Sequence, residues 1–198
     1  TITEAESATI KANNALKEYL PFDDTSDFAN VDKGFIASLD DNIIKNAQGN
    51  TAFDLNQYDF IEGDAPETAN PSLWRQSQLN AKHGLFQVTD GLYQIRAFDL
   101  ANMSFIRGKT GWIIVDPLTA NETAAAGLAL LREKVEDLPV SAVIFTHSHV
   151  DHFGGVKGVL TEEEIASGNV QIVAPEHFFE ESVNENLMAG NQMSRRAS

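Results

Sequence analysis

The chain has 198 residues, is 42% hydrophobic, carries 29 Asp and Glu against 14 Lys and Arg, and contains no cysteine. That apolar content is enough for a buried core of one or two domains. The net charge of −15 argues against a nucleic-acid partner, since no basic patch for phosphates can form. The missing cysteines exclude disulfides, thiolate metal sites and a cysteine nucleophile. No apolar run reaches the ~20 residues that cross a bilayer, so no membrane span is expected. No basic-then-apolar leader opens the chain, and its start at Thr1 is what processing or trimming would leave.

The acidity is uneven: residues 1–70 hold 14 acidic and 4 basic side chains. Within them, Ala8, Ala12, Ala15, Leu16 and Tyr19 fall near helical spacing, and Pro21 ends that helix. Asp- and Asn-rich stretches follow, with isolated anchors at Phe22, Phe28, Phe35, Ile36, Phe53, Tyr58 and Phe60. Such a segment has few ways to form a core of its own. It is expected to drape over the main body or over a second subunit, the alternative being a partly disordered acidic leader. Residues 66–81 read as a linker that becomes a short helix, entered at Asn70-Pro71-Ser72 and anchored by Trp74.

From Gly84 the pattern changes to strands. Leu85–Val88 and Leu92–Phe98 flank Asp90-Gly91, a hairpin turn. A second hairpin joins Met103–Ile106 to Trp112–Val115, whose continuous apolar run suggests burial on both faces. Asp116-Pro117 stops that strand. Asp116 has two readings: an acceptor that holds a metal-bound imidazole, or a turn residue before the proline. Residues 119–136 form an amphipathic helix with a Thr119/Glu122 capping-box pattern and a buried stripe of Ala124, Leu128, Leu131 and Val135. Gly127 interrupts it, as close packing would require. The next strand makes this a strand–helix–strand crossover. Beyond it, a helix is expected over 156–166, a strand over 170–173 and another helix over 175–188.

The crossover delivers Thr146-His147-Ser148-His149-Val150-Asp151-His152-Phe153-Gly154-Gly155, which holds three of the chain's five histidines. Imidazole and carboxylate are the usual zinc donors. His147 and His149, two apart, point to one side of an extended backbone and can grip one metal. Asp151 and His152, where the chain leaves the strand, can grip a second. Two such half-sites suit ions ~3.5–4 Å apart. Asp151 is also the candidate catalytic carboxylate, and Gly154-Gly155 would let the backbone approach the metals. His177 and His83 are weaker candidates, better explained by local structure. Arg195-Arg196 could meet an oxyanion or be a solvated end. Phe98, Leu100 and Met103 could line an apolar pocket or pack in the core.

The His-x-His-x-Asp-His motif followed by Phe-Gly-Gly resembles the metal motif of the metallo-β-lactamase superfamily. The segments Asn70–Gln76, Gly84–Val88, Tyr93–Arg96, Phe98–Ser104, Gly111–Leu118 and Ala189–Ser198 are similar to its alkylsulfatase branch, which includes bacterial enzymes that hydrolyse dodecyl sulfate. The resemblance implies an αββα sandwich, of which residues 83–198 form about the first half, preceded by an arm and linker helix over 1–82. It implies two Zn²⁺, with other divalent metals possible, a metal-activated hydroxide, and an alkyl sulfate substrate split to alcohol and sulfate. It further implies missing ligands from a C-terminal remainder and a periplasmic or secreted location, while the many aromatics of the acidic residues 1–70 lead to the expectation of a homodimer ordered through that arm. Other bonds remain open to the same cluster (lactone, β-lactam, thioester, phosphodiester), as does a non-catalytic role in assembly.

Overall fold

The computed structural model describes residues 4–197, apart from the side chains of residues 193, 194, 196 and 197. It divides into two compact units, one made of 1–33 with 55–83 and the other of 34–54 with 84–198. No described helix is long and apolar enough to cross a membrane.

The first unit contains α1 (Ser7–Tyr19), α2 (Ser26–Val31) and α3 (Pro71–Asn80). α1 ends at Leu20, where the following Pro21 cannot continue it. α3 begins as its sequence dictates: Pro71 opens the first turn, and the Asn70 side chain accepts from the backbone N–H of Ser72 and Leu73. The anchors are polar and aromatic. Asn13 on α1 donates to the carbonyls of Glu67 and Ala69. Trp74 donates to the Gly63 carbonyl and meets Phe60 edge-on, and Arg75 joins Asp27 at 3.0 Å while lying over the Phe28 ring. The burial of His83 holds its pKa below the ordinary imidazole value, because a charged ring would lose hydration there.

The second unit is built on β1 (Phe35–Ala37), β4 (Gly84–Thr89), β5 (Leu92–Arg96), β6 (Met103–Arg107), β7 (Trp112–Val115), β8 (Val140–Ile144) and β9 (Gln171–Val173), side by side in that order. β2 (Ile43–Lys45) and β3 (Thr51–Asp54) form a separate hairpin. Pairing is antiparallel from β1 to β7 and parallel from β7 through β8 to β9. The turn at Asp90-Gly91 is as expected, with Gly91 in the left-handed region. Phe35, Ile36 and Phe53 turn out to be strand residues rather than isolated anchors. Strands of three and four residues are too short to show an alternating pattern.

The helix α4 (Asn121–Lys134) connects β7 to β8 and covers one face of the sheet. A Cβ on Gly127 would lie 2.7 Å from Met103 Cε and 3.1 Å from Ile95, so only glycine allows this closeness. Ile95, Met103, Phe105, Trp112, Ile114 and Val143 are fully buried on the sheet, beneath Ala124, Leu128 and Leu131 of the helix. β7 is not buried on both faces as its apolar run suggested. Trp112 and Ile114 are buried while Ile113 and Val115 are half-exposed, because α4 lies against one side only. The Thr119/Glu122 capping box is also not formed. Instead the Asp99 carboxylate accepts from the N–H of Thr119 and Ala120 and from the Thr123 hydroxyl, serving as a cap from outside the helix. Beyond β8, the expected helix over 156–166 is two short ones, α5 (Val156–Val159) and α6 (Glu162–Ser167). They break at Leu160, where Thr161 and Glu164 make a reciprocal capping box. α7 (Phe178–Ala197) follows β9.

Candidate metal centre

β7 and β8 run parallel, with Val115 beside Ile144, so the chain leaves the sheet at neighbouring points after both strands. Asp116 follows β7 with φ 55°, a left-handed conformation that Asp adopts more readily than most residues. Its N–H donates to the Ile144 carbonyl at 3.0 Å, which holds its carboxylate against the segment after β8. The Oδ1 atom accepts from the Thr146 N–H at 2.8 Å, and Oδ2 accepts from the Thr146 hydroxyl at 2.6 Å. His152 Nδ1 lies 2.8 Å from the same Oδ2.

These bonds fix proton positions. A carboxylate accepts only, so His152 carries a proton on Nδ1, and in the neutral ring its Nε2, 3.3 Å from Asp151 Oδ2, is the nitrogen that can ligate. Thr146 Oγ1 is 2.9 Å from His147 Nδ1. The hydroxyl has one proton and gives it to Asp116, so His147 must donate through Nδ1 and keep its Nε2 lone pair too. One buried carboxylate therefore sets the tautomer of two imidazoles, one directly and one through Thr146.

The backbone brings the rings together. Val150–His152 form a 3-10 turn, with the His152 N–H donating to the His149 carbonyl. The His147 ring centre is then 4.1 Å from that of His152 and 4.6 Å from that of His149. Donor atoms of Asp116, His147 and His152 lie within 4.8 Å of one another. Since the Asp116 oxygens already hold three donors, that residue acts as an acceptor behind the cluster rather than as a ligand. Asp151 Oδ2 is 3.3 Å from His152 Nε2. Two ligands of a tetrahedral zinc, with bonds of about 2.0–2.1 Å, are about 3.4 Å apart. Three imidazoles, two of them with fixed tautomers, beside a carboxylate at that separation suit a divalent metal.

The loop is braced from behind. Phe145 stacks on Phe178 at 5.3 Å, and Phe153 meets Phe178 edge-on at 5.1 Å. Gly154 and Gly155 admit close approach, but to the segment after β7 rather than to the metal position. A Cβ on Gly155 would run into the Pro117 carbonyl oxygen, and the Gly155 N–H donates to the Leu118 carbonyl.

Other candidates lie elsewhere. His177 is exposed, with Glu176 3.6 Å away, and joins no metal-competent group among the described residues. His83 belongs to the first unit. Phe98 and Met103 are core residues, while Leu100 is exposed. Arg195 is exposed, and the Arg196 side chain lies outside the described residues. Two participants had no role assigned from the sequence. Thr146 was readable, being polar and adjacent to His147. Glu185 lies 3.2 Å from His149 Nε2, and its only sequence signal is helical spacing from Phe178.

Residues 96–195 match the family described as "Metallo-beta-lactamase superfamily". The chain is 54% identical over 200 residues to a linear primary-alkylsulfatase of Pseudomonas sp., covering 100% of this chain and 30% of that protein. It is 47% identical over 195 residues to alkyl/aryl-sulfatase BDS1 of Saccharomyces cerevisiae, covering 98% of this chain and 30% of that protein. The solved structure of the stereoselective inverting sec-alkylsulfatase Pisa1 from Pseudomonas sp. is similar at a TM-score of 0.89 and 42% identity, over 98% of this chain and 31% of that one. The chain thus spans about 30% of the length of these relatives. With that family match extending over half its length and the histidine cluster lying within the matched region, the chain belongs to the metallo-β-lactamase superfamily.

Proposed function

We propose that this chain is part of an enzyme that hydrolyses alkyl sulfate esters, such as dodecyl sulfate, to an alcohol and sulfate, and that it supplies the first ligands of a two-zinc centre. His147, His149, Asp151 and His152 would hold the metals. The observation that carries this reading is the Asp116 carboxylate bonded to both Thr146 and His152, an arrangement that presents imidazole lone pairs to a cation. Similarity to proteins named alkylsulfatases supports the choice of ester. Bound there, divalent cations would supply positive charge against the sulfate oxygens and lower the pKa of water.

The chain's own residues serve binding and orientation. A net charge of −15 repels a sulfate ester, so the cations must reverse the potential locally. Asp116 and Thr146 keep His147 and His152 in the ligating tautomer, and Asp151 adds negative charge that favours the cation. The remaining ligands, on this reading, come from a C-terminal remainder of the same protein. A homodimer and a periplasmic or secreted location belong to the same proposal, with the exposed Tyr19 and Phe60 as candidate contact residues.

The test is turnover by the full-length protein with dodecyl sulfate, a lactone and a phosphodiester. Release of sulfate from dodecyl sulfate, abolished by a chelator, is expected. Turnover of the lactone or phosphodiester alone would overturn the choice of substrate, and no turnover with no bound metal would leave a role in assembly.

A further inference from the structure

His147 and His152 each have a ring nitrogen held by the Asp116–Thr146 system. His149 does not. Its side chain is half-exposed, and the carboxylate beside it is that of Glu185, with Oε1 3.2 Å from Nε2. Glu185 lies 36 residues further along the chain, on a different element. Its placement is built rather than incidental. Phe178, Ser182, Glu185 and Ala189 fall at helical spacing and are among the covered positions of α7, while Phe179, Leu187 and Met188 on other faces are exposed. Phe178 is locked against Phe145 and Phe153, which flank the histidine motif. Glu185 is two turns beyond Phe178 on the same stripe, so the aromatic cluster sets both the height and the rotation at which its carboxylate meets His149. A carboxylate on the covered face of an otherwise amphipathic helix loses hydration, and a cationic or N–H partner must offset that loss.

We propose that Glu185 is a positioning residue for His149: its carboxylate holds the proton of that ring on Nε2 and turns Nδ1 toward the metal. This rests on the two-metal reading above. His147 and His152 would then ligate through Nε2 and His149 through Nδ1, with one carboxylate per tautomer class. The difference follows from chain geometry. Asp116 reaches the motif from the neighbouring strand end and engages His152 Nδ1 directly and His147 Nδ1 through Thr146. Glu185 reaches it from a helix on the outer side and engages the far nitrogen.

The experiment uses full-length protein and three variants, Glu185→Ala, Glu185→Gln and His149→Ala. Zinc affinity at each position is measured by competition with a chelator, together with the visible absorption of the Co²⁺-loaded protein and the Tm of the metal-free form. Glu185→Ala should weaken one position by about 10–100-fold, the range typical for loss of a carboxylate behind a metal-bound imidazole. It should shift the Co²⁺ band of that position and leave the metal-free Tm unchanged. Glu185→Gln, whose amide oxygen still accepts from Nε2–H, should restore most of the affinity. His149→Ala should weaken the same position further. Unchanged affinity and spectrum in Glu185→Ala, while His149→Ala empties a position, would overturn the role of Glu185 alone. Loss at both positions in step with a fallen Tm, not restored by glutamine, would overturn it in favour of a structural role. Full occupancy in His149→Ala would remove the two-metal reading, and this inference with it.

Discussion

The Nδ1 of His152 lies 2.8 Å from Oδ2 of Asp116, across 36 residues of sequence. The same carboxylate also receives both donors of Thr146, so a single residue fixes the path of the backbone after β8 and the tautomers of two imidazoles. Asp116→Ala should cost about 1–3 kcal/mol of stability, because the part-buried Thr146 N–H loses its acceptor. It should also weaken metal binding in the full-length protein by about 10–100-fold. Asp116→Asn should recover part of the stability and less of the metal affinity, since its amide can accept through one oxygen only. Denaturant melts and chelator competition would check the two effects separately. Equal recovery of both would contradict the assigned roles.

The motif's two half-sites predict a division of labour. In the full-length protein, His147→Ala or His149→Ala should empty mainly one metal position, and Asp151→Ala or His152→Ala mainly the other. The 3.3 Å separation of Asp151 Oδ2 and His152 Nε2 favours a shared ion for that pair. Metal content measured on purified variants decides this, and full occupancy in all four would refute it.

Two donors per ion fall short of the three or four protein ligands usual for zinc. On the proposed two-zinc reading, the 198-residue chain on its own should therefore bind zinc weakly and leave dodecyl sulfate intact, and the full-length protein should turn it over. Equal rates from the two would show that no ligands from elsewhere are needed.

The contact between α4 and the sheet offers a test of the fold. Gly127→Val places a branched side chain where a single Cβ already comes within 2.7 Å of Met103 and 3.1 Å of Ile95. Overpacking should cost about 1–3 kcal/mol, read as a lower denaturation midpoint. Leu131→Ala, which opens a cavity under the same helix, should cost about 2–5 kcal/mol. A neutral Gly127→Val would mean that α4 does not sit as close as described.

What could be read from the sequence was local. The turn at Asp90-Gly91, the cap at Asn70, the two hairpins β4–β5 and β6–β7 and the histidine motif each carry their signal within a few residues, because backbone conformation and turn chemistry are set over that range. The sequence also offered Asp116 as either an imidazole acceptor or a turn residue. In the structure it is both, with φ 55° and a bond to His152. Other features had no local signal. Asp99 caps α4 from 20 residues upstream, displacing the Thr119/Glu122 box that the local pattern favoured. β1 pairs with β4 across the linker helix. Glu185 meets His149 only because three phenylalanines fix α7 against the loop. Each of these is a contact between distant segments, chosen by the packing of the whole sheet and its helices. Only the tertiary structure, in which burial of one surface fixes the register of the next, could decide them.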